Sequence, residues 1–201
     1  RLHKDVERQQ GPVHALVVAA AAFEERQAPH DLSLDKFQTI IDVNIRGTFN
    51  ANRVFGTAMA RRGAGAIVNI ASSATYGSQP LHAYGPSKAA VVNMTKNLAG
   101  HWGRSGVRVN SVSPGPTLVA RVLARPPGRY AVDIDTLMAL GRRVQPREIA
   151  EGVEFLASER ASAITGLDML IDCGMLTAST WGLYGGVPAS MCEDEVATKP
   201  Q

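Results

Sequence analysis

A tyrosine and a lysine one helical turn apart are the first residues of this sequence that could do chemistry together. Tyr84 and Lys88 lie four positions apart near the start of a segment with helical spacing, so their side chains share one face of the helix. A lysine ammonium beside a tyrosine favours the phenolate, which makes Tyr84 a candidate general acid or base. The spacing alone is weak evidence, because such a pair on a solvated helix face would do no chemistry.

Two serines could supply a second polar group to the same reaction. Ser72 and Ser73 directly follow the apolar run 66–71. If that run is a strand of a parallel sheet, both hydroxyls lie at its carboxyl end, where open α/β sheets bind their ligands. A hydroxyl at this point can hydrogen-bond a carbonyl oxygen and hold it for protonation by Tyr84. The alternative interpretation of a Ser-Ser pair after a strand is an ordinary loop.

The elements that must position these residues alternate between strand and helix. Short apolar runs predict strands over 13–21, 66–71, 107–112 and 167–171, the first with the composition of a strand buried on both faces. Helical spacing and end signals predict one long helix from a Ser33 cap to Gly63, and further helices over 83–102, 133–140 and 146–157. The chain begins with what reads as the end of a helix. This alternation predicts an α/β protein, with a parallel sheet and helices on both faces.

Composition and charge argue against several other classes of protein. The 201 residues carry 21 basic and 18 acidic side chains, a net charge of +3. The basic residues are scattered and aromatic residues make up only 5%, whereas a nucleic-acid face carries a clustered basic stripe. The longest apolar run, 15–23, is about half of a membrane span. We therefore predict no nucleic-acid partner and no membrane segment.

Histidine and cysteine usage gives no sign of a metal. The five histidines show no ligand spacing, and Cys173 and Cys192 form no CxxC pair. Two cysteines are also too few for a disulfide framework, and the start of the chain shows no secretory leader. We therefore expect no metal site and a reducing, cytoplasmic location.

Sequence motifs surround all of the candidate residues. They are DVNIRG at 42–47, NIASS at 69–73, YGPSKAA at 84–90 and RVNSVSPG at 108–115, with Asp172-Cys173-Gly174 further on. In this order and with these gaps they resemble the motifs of the short-chain dehydrogenase/reductases. The resemblance covers about residues 11 to 175. It implies a Rossmann-like, doubly wound parallel sheet with helices on both faces.

The resemblance also implies a role for each candidate residue. Tyr84 would be the catalytic acid/base, and Lys88 would favour the phenolate and bind the nicotinamide ribose. Ser72 would bind the substrate oxygen, with Ser73 as the alternative. Asn44 would hold a water that links Lys88 to bulk solvent; its other interpretation is an asparagine that bends a long helix, and both can be true. Cofactor contacts are implied for Ala20, Tyr84, Lys88, Pro114, Gly115 and the backbone of Thr117.

The implied activity is hydride transfer between NAD or NADP and a small alcohol or ketone, by an enzyme that forms homodimers or homotetramers. The substrate would be set by the loop 118–143 and by the tail. Within that loop, Leu118, Val122, Leu123 and Tyr130 faintly indicate an apolar or cyclic compound. Residues 1–175 would form the C-terminal two-thirds of one Rossmann-type domain, and 176–201 a tail.

The chain departs from the family pattern in several places. The glycine-rich turn and the residue that chooses between NAD and NADP are not in it, so the resemblance implies a βαβαβ segment of roughly 60 residues before Arg1. The family's Asn-Asn-Ala-Gly stands here as VAAA at 18–21, and Cys173 replaces a glycine. The missing front segment and the alanine run argue for an alternative, a non-catalytic scaffold or regulatory subunit that has lost its cofactor site. The intact set of Asn44, Ser72, Tyr84 and Lys88 argues against it.

Overall fold

The computed structural model describes residues 2–120 and 133–190. The helices are α1 (Leu2–Gln10), α2 (Leu34–Ile41), α3 (Thr48–Arg62), α4 (Tyr84–Trp102), α5 (Pro146–Ala157) and the short α6 (Met175–Ala178). The strands are β1 (Ala15–Val18), β2 (Gly65–Ile70), β3 (Val107–Pro114) and β4 (Asp168–Ile171). The described strands form one parallel sheet in the order β1-β2-β3-β4.

Helices cover both faces of this sheet. On one face Ile67 of β2 packs with Met59 of α3 and Trp102 of α4. The next residue, Val68, points to the other face and packs with Leu156 of α5, because successive side chains of a strand alternate between faces. The predicted α/β architecture, a parallel sheet between two helical layers, is confirmed.

The first strand is less buried than its sequence suggests. Val17 is 47% exposed, and β1 pairs with β2 on one side only among the described residues. The prediction of a strand buried on both faces is therefore wrong. Its apolar composition is typical of a central parallel strand, but in the described part of the chain it lies at an edge of the sheet.

The predicted long helix is present, with a wider turn in its middle. It begins at Ser33, whose Oγ accepts the Lys36 N–H at 3.2 Å, and it ends at Gly63, whose left-handed φ of 80° suits a residue without a Cβ. Between α2 and α3 the segment Asp42–Gly47 is a π-helix. Such turns are rare and frequent at functional sites. This one contains the fully buried Asn44.

The remaining differences are small. The helix predicted over 133–140 is only a 3₁₀ turn, Asp135–Leu137. Beyond β4 the chain forms α6 and a further 3₁₀ turn, Trp181–Tyr184, where no period was visible in the sequence. Because all strands run parallel, the segments after β1, β2 and β3 emerge at the same edge of the sheet. Ala20, Ser72 and Gly115 follow these three strands in turn.

Candidate active site

Tyr84 and Lys88 share one face at the start of α4. Tyr84 is the first residue of the helix. The Nζ atom of Lys88 lies 5.7 Å from the centroid of the Tyr84 ring. The same Nζ donates a hydrogen bond of 2.7 Å to the carbonyl oxygen of Ile70, the last residue of β2. The ammonium is therefore fixed between the end of a strand and the tyrosine ring.

The Lys88 side chain carries its charge in an unusually buried position. Its residue is 2% exposed, and burial lowers the pKa of its ammonium from 10.5 to about 8. An ammonium has three donors, and the Ile70 carbonyl accepts from one of them. At neutral pH the group thus keeps its proton, although the loss of hydration makes the charged form less favourable than in water.

The two serines after β2 differ in their surroundings. Ser73 is buried, with 4% of its surface exposed, whereas Ser72 is half-buried. The Ser72 Oγ accepts the Ala74 N–H at 3.2 Å and so caps the 3₁₀ turn Ser73–Thr75. This bond uses a lone pair of the hydroxyl and leaves its proton to be donated. The structure thus favours Ser72 over Ser73 as the hydroxyl that a substrate could reach.

Asn44 ties the π-helical segment to two other parts of the site. Its Nδ2 donates to the Ala22 carbonyl at 3.0 Å and to Ser87 Oγ at 2.9 Å, and its Oδ1 accepts the Ala22 N–H at 2.8 Å. Ser87 Oγ in turn donates to the Tyr84 carbonyl at 2.7 Å. The Asn44 side chain therefore reaches the first turn of α4 through Ser87. The water predicted between Asn44 and Lys88 stays a prediction.

The residues implied to contact a cofactor lie after β1 and β3. Gly115 donates its N–H to the Ile171 carbonyl at 2.8 Å, and a Cβ on it would lie 2.6 Å from Asp172 Cβ, so only glycine fits. Thr117 Oγ1 donates to the Gly115 carbonyl at 2.9 Å. Ala20 is exposed and lines an open cleft of about 410 Å³ beside the π-helical segment. Pro114 ends β3.

Glu24, Phe23 and Ser87 were not among the site residues predicted from the sequence. Glu24 is 6% exposed, and its carboxylate accepts the N–H groups of Ala83, at 3.1 and 3.2 Å, and of Tyr84, at 3.3 Å. The Phe23 ring stacks on the Tyr84 ring, with centroids 5.1 Å apart. One signal was available: Ala83 precedes the helix and has no side chain that could cap it, so another part of the chain must supply the acceptor.

A second cleft lies beside the first turns of α4. It has a volume of about 360 Å³, and its lining residues all come from between Ala74 and Ala89, among them Gln79, His82 and Pro86. Tyr84, Lys88 and Ser72 are not part of its lining. His82 Nε2 lies 3.0 Å from the Gln27 carbonyl oxygen, which ties the loop after β1 to this cleft. The cleft therefore adjoins the first turns of α4 through Gly85, Pro86 and Ala89.

Residues 2–120 and 133–190 bear on the expectations about metals and membranes. In these ranges no three His, Cys, Asp or Glu side chains come together as metal ligands would. None of the helices described there has the length and apolar character needed to cross a bilayer. Val122, Leu123, Tyr130 and Cys192 lie outside these ranges.

Known proteins resemble this chain in sequence. D-threitol dehydrogenase from Mycolicibacterium smegmatis is 39% identical over 166 residues, which are 82% of this chain and 63% of that protein. Galactitol 2-dehydrogenase (L-tagatose-forming) from Cereibacter sphaeroides is 41% identical over 143 residues, 69% of this chain and 56% of that protein. The chain thus spans less than two-thirds of the length of these relatives.

Solved structures resemble it as well. A Brucella melitensis 16M protein described as ribose-5-phosphate isomerase is 44% identical, with a TM-score of 0.87 over 93% of this chain and 73% of that one. An ElxO variant with NADPH bound is 26% identical, with a TM-score of 0.81 over 88% of this chain and 72% of that one. Related proteins of this fold therefore bind a nicotinamide nucleotide.

A family model decides the membership. The model described as enoyl-(acyl carrier protein) reductase, of the short-chain alcohol dehydrogenase type, matches residues 1–176. That range includes Asn44, Ser72, Tyr84 and Lys88, and it spans the whole described sheet. Together with the two dehydrogenases of 39 and 41% identity, this match shows that the chain belongs to the short-chain dehydrogenase/reductase family.

Proposed function

We propose that this protein is an oxidoreductase that interconverts a secondary alcohol and a ketone by hydride transfer, with Tyr84 as the general acid and base. The observation that carries the proposal is the buried Lys88 ammonium, 5.7 Å from the centroid of the Tyr84 ring. Burying a charge is costly unless the charge is used or paired. A scaffold that only kept the fold would have no physical reason to retain it at this position.

Each polar group has a distinct task in this proposal. Tyr84 gives its proton to the substrate oxygen during reduction and takes it back during oxidation. The Lys88 charge stabilises the phenolate that results, because opposite charges attract strongly where water is excluded. Ser72 donates its hydroxyl proton to the same substrate oxygen and so fixes the reacting carbon relative to Tyr84. Asn44 holds the helix that carries Tyr84 through Ser87.

The residues at the sheet edge fit a nicotinamide nucleotide. NAD or NADP, when bound, would supply or accept the hydride. Ala20 follows β1 and Pro114 ends β3. These two strands lie on either side of β2, whose last carbonyl binds Lys88. Open α/β sheets hold nucleotides at this carboxyl edge. Lys88 spends one donor on Ile70, so two more remain by count for ribose hydroxyls. Gly115 and Thr117 would add backbone contacts.

We further propose a small polyol as the substrate class. The two relatives described above are named for threitol and galactitol. The earlier expectation of an apolar or cyclic compound rests on Leu118 and on three residues outside the described ranges. A homodimer or homotetramer in the cytoplasm remains the expected setting of the enzyme.

The decisive experiment is Tyr84→Phe in the complete protein. We expect kcat to fall about a thousandfold, since a positioned acid/base contributes roughly that much, while the Kd for NADH or NADPH changes less than twofold. Tyr184→Phe is a matched control, because Tyr184 is 83% exposed, and it should leave kcat unchanged. Undiminished turnover in Tyr84→Phe would refute the assignment.

Two other functions have distinct outcomes in the same assays. A scaffold or regulatory subunit would bind neither NADH nor NADPH, as titration followed by nucleotide fluorescence would show. An isomerase of the kind named for the Brucella melitensis protein would convert ribose 5-phosphate without any nucleotide. Threitol or galactitol oxidation that depends on NAD or NADP supports the proposed oxidoreductase over both.

A further inference from the structure

The helix that carries Tyr84 and Lys88 has no cap of its own. α4 runs for 19 residues from Tyr84 to Trp102, and the residue before it, Ala83, makes no side-chain capping bond. The first N–H groups of a helix have no partner inside the helix and need an acceptor when they are buried. Ala83 is fully buried, so water cannot easily serve. An acceptor must therefore come from elsewhere in the fold.

Glu24 is that acceptor, and it comes from a position 59 residues away. Both of its carboxylate oxygens accept the Ala83 N–H, at 3.1 and 3.2 Å, and Oε1 also accepts the Tyr84 N–H at 3.3 Å. The residue is 6% exposed. A carboxylate at a helix N-terminus gains both charge-assisted hydrogen bonds and the favourable field of the aligned peptide dipoles.

The loop that carries Glu24 is itself fastened at several points. The Asn44 side chain accepts the Ala22 N–H at 2.8 Å and donates to the Ala22 carbonyl oxygen at 3.0 Å. Phe23 stacks on the Tyr84 ring with an interplanar angle of 23°. The Gln27 carbonyl oxygen lies 3.0 Å from His82 Nε2. The segment 22–27 thus acts as a rigid brace between the π-helical segment and the start of α4.

We propose that Glu24 is a positioning residue of the reaction proposed above: by holding the backbone N–H groups of Ala83 and Tyr84, it sets the place of the Tyr84 ring relative to Lys88 and to the reacting atoms. Glu24 lies two residues after the alanine run 19–22, so this loop, which lacks the family's usual asparagines, still holds the start of α4 through its carboxylate. This inference rests on the proposed function, because it gives Glu24 a purpose within that chemistry. Glu24 itself need not touch the substrate.

The test compares Glu24→Gln and Glu24→Ala with Glu25→Gln in the complete protein. Glu25 is the exposed neighbour, and its substitution removes the same charge without touching α4. A glutamine keeps one acceptor oxygen, so we expect kcat to fall about fivefold in Glu24→Gln. In Glu24→Ala the helix start is uncapped, and we expect a fall of about thirtyfold, in the range that small misplacements of a catalytic group cause. Glu25→Gln should match the wild type, and KM for the nucleotide should stay within twofold throughout.

Amide hydrogen exchange separates this inference from the proposed function. In Glu24→Ala the Ala83 and Tyr84 N–H groups should exchange at least tenfold faster than in the wild type, whereas those in the second half of α4 should be unchanged. This readout needs no substrate, so it still decides the role of Glu24 if the wild type proves inactive on alcohols and ketones. Unchanged exchange at Ala83 and Tyr84 overturns the inference. So does a kcat within twofold of wild type in Glu24→Ala, or a fall that disappears once the unfolded fraction is corrected for.

Discussion

Two buried polar layers connect the helix of residues 34–62 to α4, and they lie eight residues apart along both helices. In the first layer Asn44 bonds Ser87 at 2.9 Å. In the second, Asn52 donates to Asn69 of β2 at 2.8 Å, and Asn69 donates to Thr95 at 3.0 Å. All five residues are fully buried. The residue types are alike, but the surroundings of the layers differ.

The second layer closes on itself, whereas the first opens onto the candidate site. Asn52 and Asn69 bond each other in both directions, at 2.8 and 3.2 Å, so their amides are satisfied inside the core. The first layer continues from Ser87 to the Tyr84 carbonyl and lies one residue from Lys88. Buried polar groups are costly unless they are bonded. The comparison teaches that a layer which only specifies packing is separated from one that positions reactive groups by its onward bond: only the first layer continues to the first turn of α4.

The largest expected effect concerns Lys88, which lies next to the first layer. Lys88→Met removes the ammonium next to Tyr84 but keeps a long side chain in the buried site. Turnover of the alcohol should fall at least a hundredfold, in the range for loss of an acid/base partner, as measured by steady-state kinetics with saturating nucleotide. Turnover within threefold of the wild type would show that the charge serves only the fold.

The next effect tests the closed layer. Asn69→Ala removes the partner of the Asn52 Oδ1 and the bond to the Thr95 hydroxyl, while the Asn52 Nδ2 keeps the Thr48 carbonyl as its acceptor. The loss of these buried bonds should lower the free energy of unfolding by about 2–3 kcal/mol. Because the layer does not reach the site, kcat at 25 °C should stay within twofold of the wild type. Urea unfolding and turnover measured on the same preparation decide this. A large loss of kcat in the folded protein would erase the distinction between the two layers.

A third prediction concerns the pH dependence of stability. Burial lowers the pKa of Lys88 from 10.5 to about 8, so the folded state binds fewer protons than the unfolded state between these two values, and this group makes stability rise with pH there. At pH 7 the free energy of unfolding of Lys88→Met should therefore exceed that of the wild type by about 3 kcal/mol. That gain should shrink between pH 8 and 10.5. Urea unfolding across this range measures it, and a gain independent of pH would argue against a buried ammonium.

The smallest effect tests how tightly the open layer is coupled to catalysis. Asn44→Ala removes the bonds to Ala22 and to Ser87, so the first turn of α4 gains freedom. We expect kcat to fall about tenfold, equal to about 1.4 kcal/mol of activation free energy, with the nucleotide Kd unchanged. If Asn44→Ala instead lowers stability and spares kcat, as Asn69→Ala should, the two layers are equivalent.

Much of the fold followed from local patterns in the sequence. The Ser33 cap, the Gly63 end and Pro146 in the first turn of α5 were all predicted, because caps and end signals act within a few residues. The predicted burial of β1 on both faces was wrong, because the exposure of a strand depends on which strands lie alongside it. The π-helical turn around Asn44 was also not predicted, because one inserted residue barely changes the helical spacing of apolar side chains.

Some features of the candidate site could likewise be predicted from local spacing, whereas others needed the folded structure. The four-residue spacing of Tyr84 and Lys88 already placed both side chains on one helix face. The preference for Ser72 over Ser73 needed their burial, which differs between adjacent residues of one loop. Glu24 could not be found from its own neighbourhood, because it acts on backbone groups 59 and 60 residues further along the chain.

The sequence alone determined the alternation of strands and helices and the presence of a tyrosine, a lysine and a serine at the ends of these elements. These features depend on the periods of helix and strand, which are properties of short segments. Only the tertiary structure decided how deeply Lys88 is buried, which carbonyl it binds and which distant carboxylate holds its helix. Burial, and with it the pKa and the cost of each polar group, is set by neighbours that the folded chain brings together.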